Sequence, residues 1–124
     1  MYILNETDQN LQVVLIGAVA ANQLQCTVVY HEEIPTERRD IRLFTTLNDT
    51  NNTTDVTILA APTLINYVRV IKGITIYNKD TASATVVVKL DDNGTETIFI
   101  RRTLTTLQTL HYEDGVGWQI IATA

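Results

Sequence analysis

The sequence predicts an all-β chain: a single antiparallel β-sandwich of seven to eight short strands, jelly-roll-like or closed as a small barrel. Three observations carry this. Threonine, valine and isoleucine dominate the apolar and neutral positions, and β-branched side chains fit a pleated sheet better than a helix. Turn-forming residues recur at roughly ten-residue spacing, the rhythm of short strands joined by turns. Hydrophobic residues make up 45% of 124 residues, enough for one domain with a buried core.

The elements follow in order. Leu11 to Gly17 reads as a strand. Gln23 to His31 reads as another, with Leu24, Cys26, Val28 and Tyr30 alternating with more polar neighbours. Ala18 to Asn22 between them is short enough for a hairpin. Glu32 to Asp40 is charged and contains Pro35, so it is expected to be a loop. A weaker strand, Ile41 to Leu47, leads into Asn48 to Thr54, the stretch expected to be most exposed. Residues 1–52 therefore form the less regular part of the domain, and 53–124 the hairpin-rich part.

Asp55 to Leu59 is a short strand closed by Ala60-Ala61-Pro62. Tyr67 to Tyr77 is a long one, with Gly73 marking a bulge or bend. Asn78 to Ser83 turns the chain into Ala84 to Leu90, where Val86 and Val88 share one face and Val87 takes the other. Asp91-Asp92-Asn93-Gly94 is the strongest hairpin signal, because Asn-Gly supplies the positive φ values of a type I′ turn. Thr95 to Arg102 is its partner strand. Thr103 to Thr109 suits either a helical turn or a bend; its threonines and missing cap favour the bend. A last hairpin runs from Leu110 to Glu113, turns at Asp114 to Gly117 and returns from Trp118 to Ile121. Val86 to Val88 and Thr97 to Ile100 are apolar on both faces, so their outer side is expected to be covered by the N-terminal half or by another subunit.

Composition and chemistry exclude several classes. Net charge is -5, and the basic residues are scattered, with only Arg38-Arg39 and Arg101-Arg102 adjacent, so no stripe is present to neutralise phosphates and no nucleic-acid partner is expected. The apolar run Val13 to Ala21 is too short to span a bilayer, and the first residues lack a basic signal-peptide region, so no membrane is expected and synthesis in a reducing cytoplasm is. The one cysteine, Cys26, reads as a small buried apolar residue. Asn-x-Thr triplets at Asn5, Asn48, Asn51, Asn52 and Asn93 read as turn and loop chemistry.

No catalytic, cofactor-binding or metal-ligating residue is nominated, and no cofactor or enzyme activity is expected. The one serine, Ser83, sits in a turn without a nucleophile-elbow context. His31, followed by Glu32 and Glu33, and His111, near Glu113 and Asp114, each lie at a strand end where polar residues are ordinary. Two histidines and one cysteine lack zinc spacing. Asp91-Asp92-Asn93 resembles half a calcium loop but lacks the later bidentate glutamate. The aromatic residues, from Tyr2 to Trp118, are spread along strands, and Trp118 after its glycine turn is either a core plug or an exposed anchor for carbohydrate.

Three stretches carry a resemblance: Thr53 to Pro62; Ile74-Thr75-Ile76-Tyr77-Asn78-Lys79-Asp80 leading into Ala84 to Val88; and Leu110 to Trp118, ending Asp-Gly-Val-Gly-Trp. Over roughly Thr53 to Ile121 the chain resembles short β-rich structural proteins of tailed bacteriophages. It departs from them at Thr105-Thr106-Leu107-Gln108, a bend that often holds a glycine. The resemblance implies a virion structural protein, with a head decoration or cement protein bridging major capsid subunits first, a neck, tail or fibre component second, and a carbohydrate- or receptor-binding module third. The implied partners are further copies of the chain, a trimer as first guess, and the major capsid protein or another virion protein; the implied location is the virion.

Overall fold

In the computed structural model the described residues are 1–34 and 42–122, and they form ten strands and no helix. These are β1 (Tyr2–Leu4), β2 (Gln9–Leu15), β3 (Gln25–Glu33), β4 (Arg42–Asp49), β5 (Val56–Leu59), β6 (Val68–Tyr77), β7 (Ala84–Asp92), β8 (Thr95–Leu104), β9 (Thr109–Glu113) and β10 (Gly117–Ile121). Ten strands replace the seven to eight expected. Nine of the ten fall on segments read individually as strands; the tenth is β1, whose three residues are too few to show alternation. Of the predicted loop from Glu32 to Asp40, Glu32 and Glu33 belong to β3, and residues 35–40 lie outside the described residues.

All pairing is antiparallel, in two sheets. The first runs β4-β3-β6-β9-β10, and β1 pairs with the N-terminal half of β6 at Arg69–Ile71 while β9 takes the C-terminal half at Gly73–Tyr77. The second runs β5-β2-β7-β8. Alternate residues from both sheets meet in one apolar cluster: Leu11, Val13 and Leu15 of β2 and Val86 and Val88 of β7 from the second sheet, Cys26 and Val28 of β3 and Ile71, Ile74 and Ile76 of β6 from the first. The period-two pattern of these strands therefore reports the interior correctly.

The order of crossings differs from the expected hairpins. β2 and β3 do not pair with each other; β2 lies in the second sheet and β3 in the first. The chain makes four long ribbons, β2–β3, β4–β5, β6–β7 and β8–β9, each folded so that one half enters each sheet. Neighbours are kept in both halves: β5-β2-β7-β8 in one sheet mirrors β4-β3-β6-β9 in the other. Residue spacing cannot distinguish a tight hairpin from such a corner, since both need only a short polar connection.

Two local signals are realised. Val29 pairs with Gly73 and Tyr30 with Ile71, which leaves Lys72 as the extra residue of a bulge. Asn93 (φ 51°) and Gly94 (φ 91°) close the β7–β8 hairpin between Asp92 and Thr95 as a two-residue turn with both φ values positive.

Candidate assembly surface

The four corners at which the ribbons fold lie side by side and are stitched together by buried and half-buried polar groups. In the first stitch, Asn52 Oδ1 accepts the Val19 N–H (3.0 Å) and the Gln23 Nε2 amide (2.9 Å). Gln23 Oε1 in turn accepts the Asn52 N–H (3.0 Å) and the Thr50 hydroxyl (2.9 Å), whose oxygen accepts the Leu24 N–H. Thr50 is buried, so the tract from Asn48 to Thr54, expected to be the most exposed, is anchored at its centre. Its polarity satisfies backbone donors that the corners leave unpaired.

The second stitch is Asp80, 1% exposed. Its carboxylate accepts the N–H groups of Ala20, Ala21, Asn22 and Thr81 at 2.8–3.0 Å. The donors from Ala20 and Asn22 lead in holding its pKa down to about 2, against the opposing effect of burial, with Ala21 and Thr81 adding to them. The third is Asn78, whose Nδ2 donates to the carbonyls of Ala82 and Leu104 (3.1 and 3.0 Å) and whose backbone meets Gln108 and Leu107. The Thr106 hydroxyl donates to the Asp80 carbonyl. The Asn-Lys-Asp sequence is thus a structural joint between three corners.

The open side between β8 and β9–β10 is filled by aromatic rings. Tyr2 stacks on Phe99 with centroids 4.0 Å apart and touches Tyr112 and Trp118. Trp118 Nε1 donates to the Tyr2 hydroxyl (2.9 Å), which places Trp118 as a half-buried plug. Burial, and next the Asp114 carboxylate, push the Tyr112 pKa up.

The residues weighed for chemistry are held apart. Ser83 lies in the corner after β6. His31 on β3 pairs with Val70 of β6, whereas His111 on β9 pairs with Thr75 further along that strand. His111 Nδ1 shares a hydrogen bond with the Thr75 hydroxyl (3.1 Å). His31 is 7% exposed; its Nε2 lies 2.9 Å from Glu33 Oε1, outside hydrogen-bond geometry, and has no hydrogen-bond partner among the described residues. Cys26 is buried in the core, and burial, with a smaller contribution from Asp49, pushes its pKa up to about 12. Among the described residues no group of three or more His, Cys, Asp or Glu side chains could hold a metal ion. Shallow depressions of about 210 Å³, lined by Gln25, Leu47, Asn48 and Asp49, and about 150 Å³, beside Ser83, lie on the surface.

Two charged groups on the body are neutralised locally. Lys89 is buried, which works against its charge, but Asp55 and Glu96, each 2.9 Å from Nζ, outweigh this and raise its pKa. Arg69 pairs with Glu32 at 2.8 Å and lies over the Tyr30 ring.

Exposed apolar residues lie both in connections, as at Ile65 and Val116, and on strand surfaces. Leu43 and Leu47 of β4 are 68% and 69% exposed, with Phe44 between them; Ile98 of β8 and Ile121 of β10 are also exposed. The outer side of the first sheet carries Leu43, Thr45 and Leu47 beside Thr27 and Val29 of β3 and Thr75 of β6, a broad face without charge at its centre. Such a surface suits contact with other protein better than binding of a small molecule. No helix is long and apolar enough to cross a membrane. No family model, curated protein or solved structure matches the chain.

Proposed function

We propose that this chain is a structural protein of a tailed-phage virion, placed on the head as a decoration or cement protein that bridges major capsid subunits. The observation that carries the reading is the outer face of the first sheet, without charge at its centre and with its open, apolar strand β4. Two of the three stretches that resemble phage proteins fall on buried contacts: Asn78 and Asp80 lock three corners, and the Asp-Gly-Val-Gly-Trp hairpin delivers Trp118 to Tyr2. A cement protein works by mass action, since each copy bound to the assembled shell and not to free subunits favours assembly.

The strand order supports the finer fold. Eight strands, β2 to β9, have the neighbours of a jelly-roll sandwich whose chain is opened between a different pair of ribbons. Jelly rolls occur widely in viral shells, which agrees with the reading by analogy of fold alone. The partners are then further copies of the chain, with threefold positions on the shell as first expectation, and the major capsid protein; the location is the virion.

Quantitative mass spectrometry of purified particles tests this. A copy number near that of the major capsid protein is expected. A small fraction of that number would move the protein to the neck, tail or fibre, and absence from particles would overturn the virion reading.

A further inference from the structure

The edge of β4 points to a partner. Among the described residues β4 pairs with β3 alone. The Thr50 N–H donates to the Leu24 carbonyl at 2.9 Å, and the register runs from there to Glu32–Arg42 without a shift. By the alternation of an antiparallel ladder, Asn48, Thr46 and Phe44 turn their N–H and C=O groups toward β3. Leu43, Thr45 and Leu47 therefore turn theirs outward, and their side chains lie on the outer face of the sheet. The opposite side of the strand is fixed: the Thr46 hydroxyl donates to the Ile58 carbonyl (2.7 Å) and Phe44 stacks on Tyr30.

Other edges carry the usual protections. β8 presents Glu96, Arg101 and Arg102; β5 has four residues and β10 five. β4 has eight residues, no proline, no bulge and no charge from Leu43 to Asn48.

We infer that β4 pairs antiparallel with β4 of a second copy of this chain about a twofold axis through Thr45. The strand is its own complement in this register. Leu43 faces Leu47 of the second copy, Thr45 faces Thr45, and Leu47 faces Leu43, so leucine meets leucine and threonine meets threonine. Residues facing each other in an antiparallel pair lie on the same face, so both outer faces join into one continuous sheet. The inference stands on strand geometry, independent of any place in a virion, and replaces the threefold first guess for the isolated chain.

Sedimentation velocity on the full chain, together with oxidative cross-linking of Thr45→Cys, tests it. A concentration-dependent dimer is expected, dissociating on dilution. Thr45→Pro removes an outward N–H without touching the ladder to β3, and Leu47→Lys places a charge on the strand; both are expected to remain monomeric. Should the proline variant fail to fold, the lysine variant alone decides. Facing Cα atoms in a hydrogen-bonded pair lie about 5.5 Å apart, within disulfide range, so Thr45→Cys is expected to oxidise to a covalent dimer while Ile98→Cys on β8 does not. Cys26 is buried and does not compete. A wild-type chain monomeric at high concentration, a trimer, a dimer that survives Leu47→Lys, or efficient cross-linking through position 98 in place of 45 would overturn the inference.

Discussion

Asp80 concentrates four backbone donors on one buried carboxylate, and its effect on stability has a definite sign. Its folded pKa, about 2, lies below the ordinary 3.8. Above that ordinary value the group is ionised in both folded and unfolded chains and its full stabilisation is present. As pH falls through the range from 3.8 toward 2, the unfolded chain takes up the proton first and the stabilisation is lost. Thermal melts across this window should therefore show Tm falling with pH more steeply for the wild type than for Asp80→Asn. At neutral pH the same variant should melt lower than the wild type, and by more than Asp91→Asn, which disturbs only the Gly94 N–H in an exposed turn. At this scale legibility was uneven. Asn93-Gly94 declared its geometry because the backbone demand and the residues that meet it are adjacent. Thr50 did not, because its partners Gln23 and Leu24 lie 26 or 27 residues away, and a polar tract has the same composition whether it meets water or a neighbouring corner. Leu107 sits at φ 67°, a conformation that glycine adopts most readily, so the bend is reached without the residue that would advertise it.

Among elements, the final hairpin was readable and its purpose was not. The glycine turn and the alternation of Leu110 and Tyr112 mark β9 and β10, but only the structure shows that Trp118 reaches the first strand, 116 residues earlier in the chain. That clasp should be measurable. Trp118→Ala removes contacts with Tyr2 and Tyr112 and a hydrogen bond; for a half-buried ring the cost is about 2 kcal/mol, below the range for fully buried tryptophan. Trp118→Phe should lose about 1 kcal/mol, the net worth of the hydrogen bond to Tyr2. Urea titrations of the three proteins would separate packing from hydrogen bonding. β1 itself escaped detection because a three-residue strand has no periodicity of its own; it exists through Leu4 in the core and through β6. The mistaken β2–β3 hairpin has the opposite origin. Both strands were legible, and what joined them was not, since Ala18 to Asn22 is compatible with either pairing or crossing.

For the whole molecule, the two sheets share one apolar cluster, and the corners that join them are hydrogen-bonded to each other across all three boundaries between neighbouring ribbons. Neither sheet has an interior to itself, so the chain should unfold in a single transition, with Trp118 fluorescence and far-ultraviolet circular dichroism coinciding at every urea concentration. Two separated transitions would mean that the sheets part independently. The fold class was legible because β-branched periodicity is a property of each strand alone. The ribbon architecture was not, because it depends on which strands face each other across the interior. The candidate surface was half legible: Ile41 to Leu47 was seen as a weak strand, but that it lies at an edge is a statement about its neighbours.

The stitched corners all lie at one end of the strands, and the β7–β8 turn lies at the other. A change of chain length has unlike consequences at these two ends. An extra residue between Gly17 and Asn22, or between Asn78 and Ser83, displaces donors aimed at Asn52 or Asp80 and disturbs several ribbons at once. An insertion between Asn93 and Gly94 lengthens one exposed turn and leaves the joints in place. The hairpin end is therefore where such a chain can diversify, or display a grafted peptide, while the corner end holds its sequence and its shape.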